Sequence, residues 1–165
     1  MSDAAIHIRP ARPDDVAWMT PLAPRMHEFG PPTWRDVSVM DDAVAAQWAH
    51  ELAAPTPGSA MLVAEDSSGA AMGFVWLKPD PDFFTQDLIA GHVVDIVVTR
   101  DGEGRGVGRA LLIAAERWAE DAGYPWLTLH VFAGNDRARR VYEKMGYEEE
   151  WTRMLKRVAT RAPSD

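Results

Sequence analysis

Glu103-Gly104-Arg105-Gly106-Val107-Gly108 joins two segments of opposite character. Before it runs Val93-Val94-Asp95-Ile96-Val97-Val98, a β-branched stretch that predicts a strand; after it, Arg109-Ala110-Leu111-Leu112 opens a helical pattern. A strand that stops, a glycine turn and a helix start make an anion trap. Glycines let the backbone approach closely, and the unpaired N–H groups of the first helical turn point at whatever sits there. The natural guest is a pyrophosphate. A P-loop would follow its last glycine with Lys and then Ser or Thr, but Gly108 is followed by Arg109-Ala110. A Rossmann turn would follow the first strand, whereas this one comes late in the chain, with glycines at 104, 106 and 108.

The surrounding pattern is α/β. Ala5 to Arg9 alternates like a short strand, and Pro13-Asp14-Asp15 starts a helix with Val16, Met19, Leu22 and Ala23 on its apolar face. Residues 29–40 are too broken to assign. A second helix is predicted over roughly 42–53, carrying Val44, Trp48 and Leu52. Strands at Ala60–Glu65 and Ala71–Leu77 flank the turn Asp66-Ser67-Ser68-Gly69, and the next strand is His92–Thr99. Between them Lys78 to Gly91, with Pro79 and Pro81, reads as a long substrate-side loop. The helix after the glycine turn ends at Gly123, Trp126–Phe132 is another strand, and Asn135 or Asp136 caps a helix that stops at Gly146. Tyr147 to Val158 reads as a last strand or hairpin. Helices interleaved with mostly hairpin-linked strands imply a sheet of mixed direction.

At 165 residues the chain suits one domain spanning 1–165. It has no cysteine, which excludes disulfides and thiolate metal sites. No apolar stretch approaches the ~20 residues of a membrane span, and Met1-Ser2-Asp3 lacks the basic start of a signal peptide. A cytoplasmic protein is the expectation. A formal net charge of −8 disfavours nucleic acid and anionic lipid as partners and favours a cationic small molecule or basic peptide. His7, His27, His50, His92 and His130 show no metal-ligand spacing, so no metal is expected.

The stretch from Val93 to Tyr147 resembles the core of the GCN5-related N-acetyltransferases, the GNAT superfamily. That family's phosphate turn runs Arg/Gln-x-x-Gly-x-Gly/Ala after a strand ending in valine; here Val98 ends the strand and Gly106-Val107-Gly108 fills the glycine positions. A second element, Asn-x-x-Ala-x-x-x-Tyr followed by Gly-Phe/Tyr, is matched by Asn135, Ala138, Tyr142, Gly146 and Tyr147. The departure is Glu103, a carboxylate at the Arg/Gln position, which Arg105 and Arg109 would offset. The resemblance implies the GNAT fold, a mixed and mostly antiparallel central sheet flanked by helices with splayed fourth and fifth strands. It also implies direct transfer of an acetyl group from acetyl-CoA, as co-substrate, to a primary amine.

On that resemblance, backbone N–H groups of Gly104, Arg105, Gly106, Val107, Gly108 and Arg109 would hold the cofactor phosphates. Backbone of Ile96, Val97 and Val98 would meet the pantetheine arm, which Asn135 would also contact. An amine of pKa near 10.4 is neutral in only about one molecule in 2,500 at pH 7, so a positioned base helps. His130, expected mid-strand on the face opposite Leu127, Leu129 and Val131, is the candidate base, the alternative being a histidine packed on a sheet face. Asp95 is a second candidate base or amine anchor, the alternative being a structural hydrogen bond. Tyr142 is expected to protonate the departing thiolate.

For the acceptor, Phe29, Trp34, Asp36, Asp41, Asp42, Trp76, Asp80, Asp82, Phe83, Phe84, Asp87 and Trp151 mix rings with carboxylates, which suits a cation carrying some apolar surface. A small-molecule amine is preferred over a peptide amine; protein N-termini or lysines, and a non-catalytic acyl-CoA-binding module, are the alternatives. A homodimer is compatible with these features.

Overall fold

Five strands, His7–Pro10 (β1), Ala60–Glu65 (β2), Ala71–Pro81 (β3), Ile89–Val98 (β4) and Leu127–Leu129 (β5), form one sheet whose order follows the chain. The structure is a computed structural model describing residues 5–156 except 32 and 86, so Met1-Ser2-Asp3 and Val158 lie outside the described residues. β1 to β4 pair antiparallel, and β4 pairs parallel with β5. The mixed, mostly antiparallel sheet expected from the sequence is therefore present, with helices on both faces.

The predicted long loop is mostly strand. β3 runs on to Pro81, pairing Pro79 with Gly91 and Pro81 with Ile89, which leaves a connection of 82–88. Prolines survive there because β2 ends opposite Leu77. Beyond that point β3 has no paired strand on its β2 side among the described residues, so a missing N–H costs no ladder bond. β5 is shorter than predicted: it stops at Leu129, and His130 lies just past its end rather than mid-strand. Residues 147–156 form no strand, against the expected strand or hairpin.

The first helical region is broken into a 3-10 turn at Pro13–Asp15, one α-turn at Val16–Met19 (α1) and a 3-10 segment at Thr20–His27. Pro21 and Pro24 deny it regular α-helical bonding. The next helix, α2, spans Val37–Ala53 and starts a turn earlier than predicted, because Asp36 caps it by accepting from Ser38 N at 3.0 Å. Helices α3 (Val107–Asp121) and α4 (Asp136–Lys144) follow the expected pattern, the latter capped by Asn135.

α1 and α2 bury Met19 and Trp48 on one face against Val63, Phe74 and Val97, with Trp48 edge-on to Phe74 at 4.8 Å. The helix α3 buries Val107, Leu111 and Ala115 on the other face against Val75, Leu77 and Val93. Close approach is required where α3 crosses β4: a Cβ on Gly91 would come within 2.8 Å of the Trp118 ring.

A β-bulge sets up the site. Trp76 pairs with Asp95 and Leu77 with Val93, so Val94 is an extra residue in β4. Before the bulge, Gly91 N donates to Trp126 O towards β5. After it, Thr99 N donates to Met72 O, so by alternation Ile96 and Val98 turn their backbone away from β3.

Candidate active site

Pairing between β4 and β5 covers only Gly91–Leu127, His92–Thr128 and Val93–Leu129. From Val94 to Val98, β4 has no strand on that side among the described residues. This is the expected splay, and it leaves an edge of unpaired backbone groups leading to the N-terminus of α3. Ile96 and Val98 face it; Val97 instead turns its backbone to β3 and its side chain into the core with Trp48. Arg25 already reaches the far end of the edge, its Nε donating to Val98 O at 3.1 Å.

At the α3 terminus Gly104 and Gly106 have φ of 73° and 81°, values that L side chains rarely adopt. A Cβ at either position would meet nothing within 4 Å, so the space above the turn is open. Arg105 N is directed at Gly102 O at 3.4 Å, which narrows the expected donor set. Helix geometry leaves the N–H groups of Val107, Gly108 and Arg109 without intrahelical acceptors. Those groups and the helix dipole fit a pyrophosphate.

Glu103 is offset by cations other than those expected. The guanidiniums of Arg137, at 2.9 Å, and Arg25 both bind its carboxylate and hold its pKa below the usual range. Arg105 lies instead 3.9 Å from Asp66, and Arg109 is exposed. The Gly30 backbone packs on Gly134 and Asn135, so the segment after residue 25 lies against the start of α4. Asn135 uses its Oδ1 to accept from Ala138 N at 3.1 Å as the cap of α4, so its remaining side-chain capacity is chiefly the amide NH2 donor.

Tyr142 is partly buried on α4 with its ring 5.8 Å from that of Tyr147. Burial raises its pKa above the ordinary value, so it keeps its proton at neutral pH. Asp95 is buried and accepts from Trp48 Nε1 at 2.7 Å; burial raises its pKa, and the indole bond opposes that rise. Its position is inside the α2 packing, which supplies the structural partner anticipated for it.

His130 is exposed, and its ring lies 4.9 Å from that of His92. His92 is buried, and its Nδ1 lies 2.8 Å from Thr128 Oγ1. The Thr128 hydroxyl donates towards Gly91 O at 3.4 Å, so it accepts from His92 Nδ1–H. His92 then presents Nε2 as a bare lone pair. Burial first, and the nearby His130 second, lower its pKa to about 4, which keeps it neutral at physiological pH.

An opened parallel strand pair, a bulge and a helix terminus aimed along the opening now stand beside the two sequence motifs. The family model described as "Acetyltransferase (GNAT) family" matches residues 23–147. The chain belongs to the GNAT acetyltransferase family. It is 32% identical over 150 residues to the uncharacterised N-acetyltransferase YhfO of Bacillus subtilis, covering 88% of this chain and 91% of that protein. It is 36% identical over 88 residues to the mycothiol acetyltransferase of Nocardiopsis dassonvillei, a match covering 52% of this chain and 27% of that protein. The match thus spans about a quarter of that longer relative. Among solved structures, a ribosomal-protein-alanine N-acetyltransferase from Brucella melitensis biovar Abortus superposes with a TM-score of 0.68 at 25% identity, covering 93% of this chain and all of that one.

Within this GNAT chain, sequence reasoning missed Arg25, Arg137 and His92. For His92 a signal existed: aligning the two strands that flank α3 puts His92 beside Thr128 and near His130. The arginines gave none, because their contacts cross 78 and 34 residues of chain. Of the ring-and-carboxylate set, the structure gathers Phe83, Phe84 and Trp151, with Asp82 in the same turn and Asp80 close enough for its charge to act on His92. Trp76 is core, Asp36 caps α2, Asp41 binds His27, and Phe29 lies under Arg137. Among the described residues no three His, Cys, Asp or Glu side chains gather as a metal site, and no helix is long and apolar enough to cross a membrane.

Proposed function

We propose that this protein transfers the acetyl group of acetyl-CoA directly to the primary amine of a cationic small molecule. The observation that carries this reading is the open β4 edge, from Val94 to Val98, running into the unpaired first turn of α3. Acetyl-CoA supplies the thioester carbonyl that an amine attacks. The N–H groups of Val107, Gly108 and Arg109 bind its diphosphate, and the backbone of Ile96 and Val98 receives the pantetheine arm.

The amine must lose a proton as its nitrogen bonds to the carbonyl carbon. His130 supplies the lone pair for that proton on the acceptor side of the opening, while His92, too weak a base with a pKa of about 4, offers Nε2 as a hydrogen-bond acceptor that orients the amine. As the carbon–sulfur bond breaks, the Tyr142 hydroxyl hydrogen-bonds the departing sulfur and hands it a proton; for a phenol above 10 against a thiol near 8.5 this step runs uphill, and it is completed when the proton taken from the amine returns to the tyrosine. Asp95 acts as a positioning residue through Trp48.

The −8 charge draws an ammonium toward the site. A thiol-release assay with purified protein, acetyl-CoA and a panel of amines tests the reading. CoA release that depends on the amine supports it; binding of acetyl-CoA with no amine-dependent release leaves the non-catalytic acyl-CoA module in its place.

A further inference from the structure

A row of rings leads outward from the pair of histidines. His130 stands edge-to-face with Trp151 at 6.2 Å, Trp151 stacks on Phe83 at 6.3 Å and 29°, and Phe83 meets Phe84 edge-on at 5.0 Å. Phe83 and Phe84 are each 78% exposed and Trp151 56%, so apolar faces point at water along a continuous path. The path is held in place. Asp82 Oδ1 accepts from Phe84 N at 3.0 Å and Thr85 N at 2.7 Å, and Asp82 N donates to Leu88 O at 2.8 Å. The two phenylalanines are thus presented by a bonded turn at the tip of the β3–β4 hairpin.

We propose that the acceptor is a primary amine carrying a flat aromatic group, an arylalkylamine in chemical class, whose ring lies along Trp151, Phe83 and Phe84 while its nitrogen reaches His130 and His92. The inference rests on the acetyl-transfer reading and names its acceptor. Three physical arguments favour this occupant. Ring faces and edges give an aromatic group offset and perpendicular partners that an alkyl chain cannot use. The same faces, with the charge of Asp80 acting on His92 beside them, attract one ammonium. A second positive charge meets resistance, since Lys78 pairs in register with His92 and its charge also reaches that imidazole. Polycations such as polyamines are therefore disfavoured by the floor of the site and gain little from its wall.

The test compares acetylation of 2-phenylethylamine and tryptamine with n-hexylamine and spermidine, using wild type, Phe83→Ala and Trp151→Ala. The expected result is kcat/KM for the arylalkylamines at least tenfold above the other two amines. In each variant KM for 2-phenylethylamine should rise about fivefold, while acetyl-CoA affinity by calorimetry stays at the wild-type value. Equal or better use of n-hexylamine or spermidine overturns the inference and leaves acetyl transfer standing, as does an unchanged KM in both variants. Absence of turnover with every amine, acetyl-CoA still binding, overturns both the acceptor and the catalytic reading. Loss of acetyl-CoA binding in the wild type would sink the cofactor assignment itself.

Discussion

His92 Nδ1 and Thr128 Oγ1 meet at 2.8 Å across the middle of the three paired rungs of β4 and β5, one residue before the two strands part. The bond holds a neutral imidazole at the mouth of the opening. Its pKa sits near 4, below the ordinary 6.5, chiefly through burial. The unfolded chain therefore binds a proton there between about pH 6.5 and 4 that the folded chain does not, so stability falls as pH drops through that window. Melting temperature measured from pH 7 to pH 4 should decline, and His92→Asn, which removes the titration, should flatten the decline. An unaltered profile in the variant would assign the acid sensitivity to other groups.

Tyr142→Phe keeps the ring packed against Tyr147 and removes only the hydroxyl. Turnover should fall at least tenfold, with acetyl-CoA affinity nearly unchanged by calorimetry. Intact turnover would mean that the thiolate takes its proton from water or from another group.

Glu103 ties up two arginines at the rim of the phosphate turn. Glu103→Gln should release them toward the diphosphate and tighten acetyl-CoA binding severalfold at low salt, with the gain shrinking as ionic strength rises. Weaker binding instead would show that the carboxylate holds the turn in shape.

Asp95 and Trp48 form a buried pair between β4 and α2. Trp48→Phe strands the carboxylate without its donor and should cost about 1–3 kcal/mol in denaturant melts. Asp95→Asn keeps an oxygen for the indole. If the role is positioning, this variant retains most of its turnover and its pH–rate profile; a collapse of kcat in a stably folded Asp95→Asn would instead make Asp95 a base.

Much of the frame was legible locally. The turn Asp66-Ser67-Ser68-Gly69 placed Ala60–Glu65, the glycines marked the start and stop of α3, and Asn135 capped α4 as its side chain suggested. Legibility failed wherever a neighbour decided the outcome. Pro79 and Pro81 read as breakers, yet they sit in a strand because β2 has already ended beside them. The helix expected from about residue 42 begins at Val37 because Asp36 caps it, and Asp41 lies within it, bonded to His27.

The sequence by itself determined the glycine turn and the Asn135–Tyr142 element, since both depend on residue types at short spacing: positive-φ glycines, a capping amide and a tyrosine two helical turns on. Only the tertiary structure decided how charge is balanced and which rings stand together. Arg25 and Arg137 reach Glu103, Trp48 reaches Asp95, and His92 joins His130 and Trp151 through contacts between distant stretches of chain. Such contacts follow from strand register and helix docking, and no local pattern encodes them.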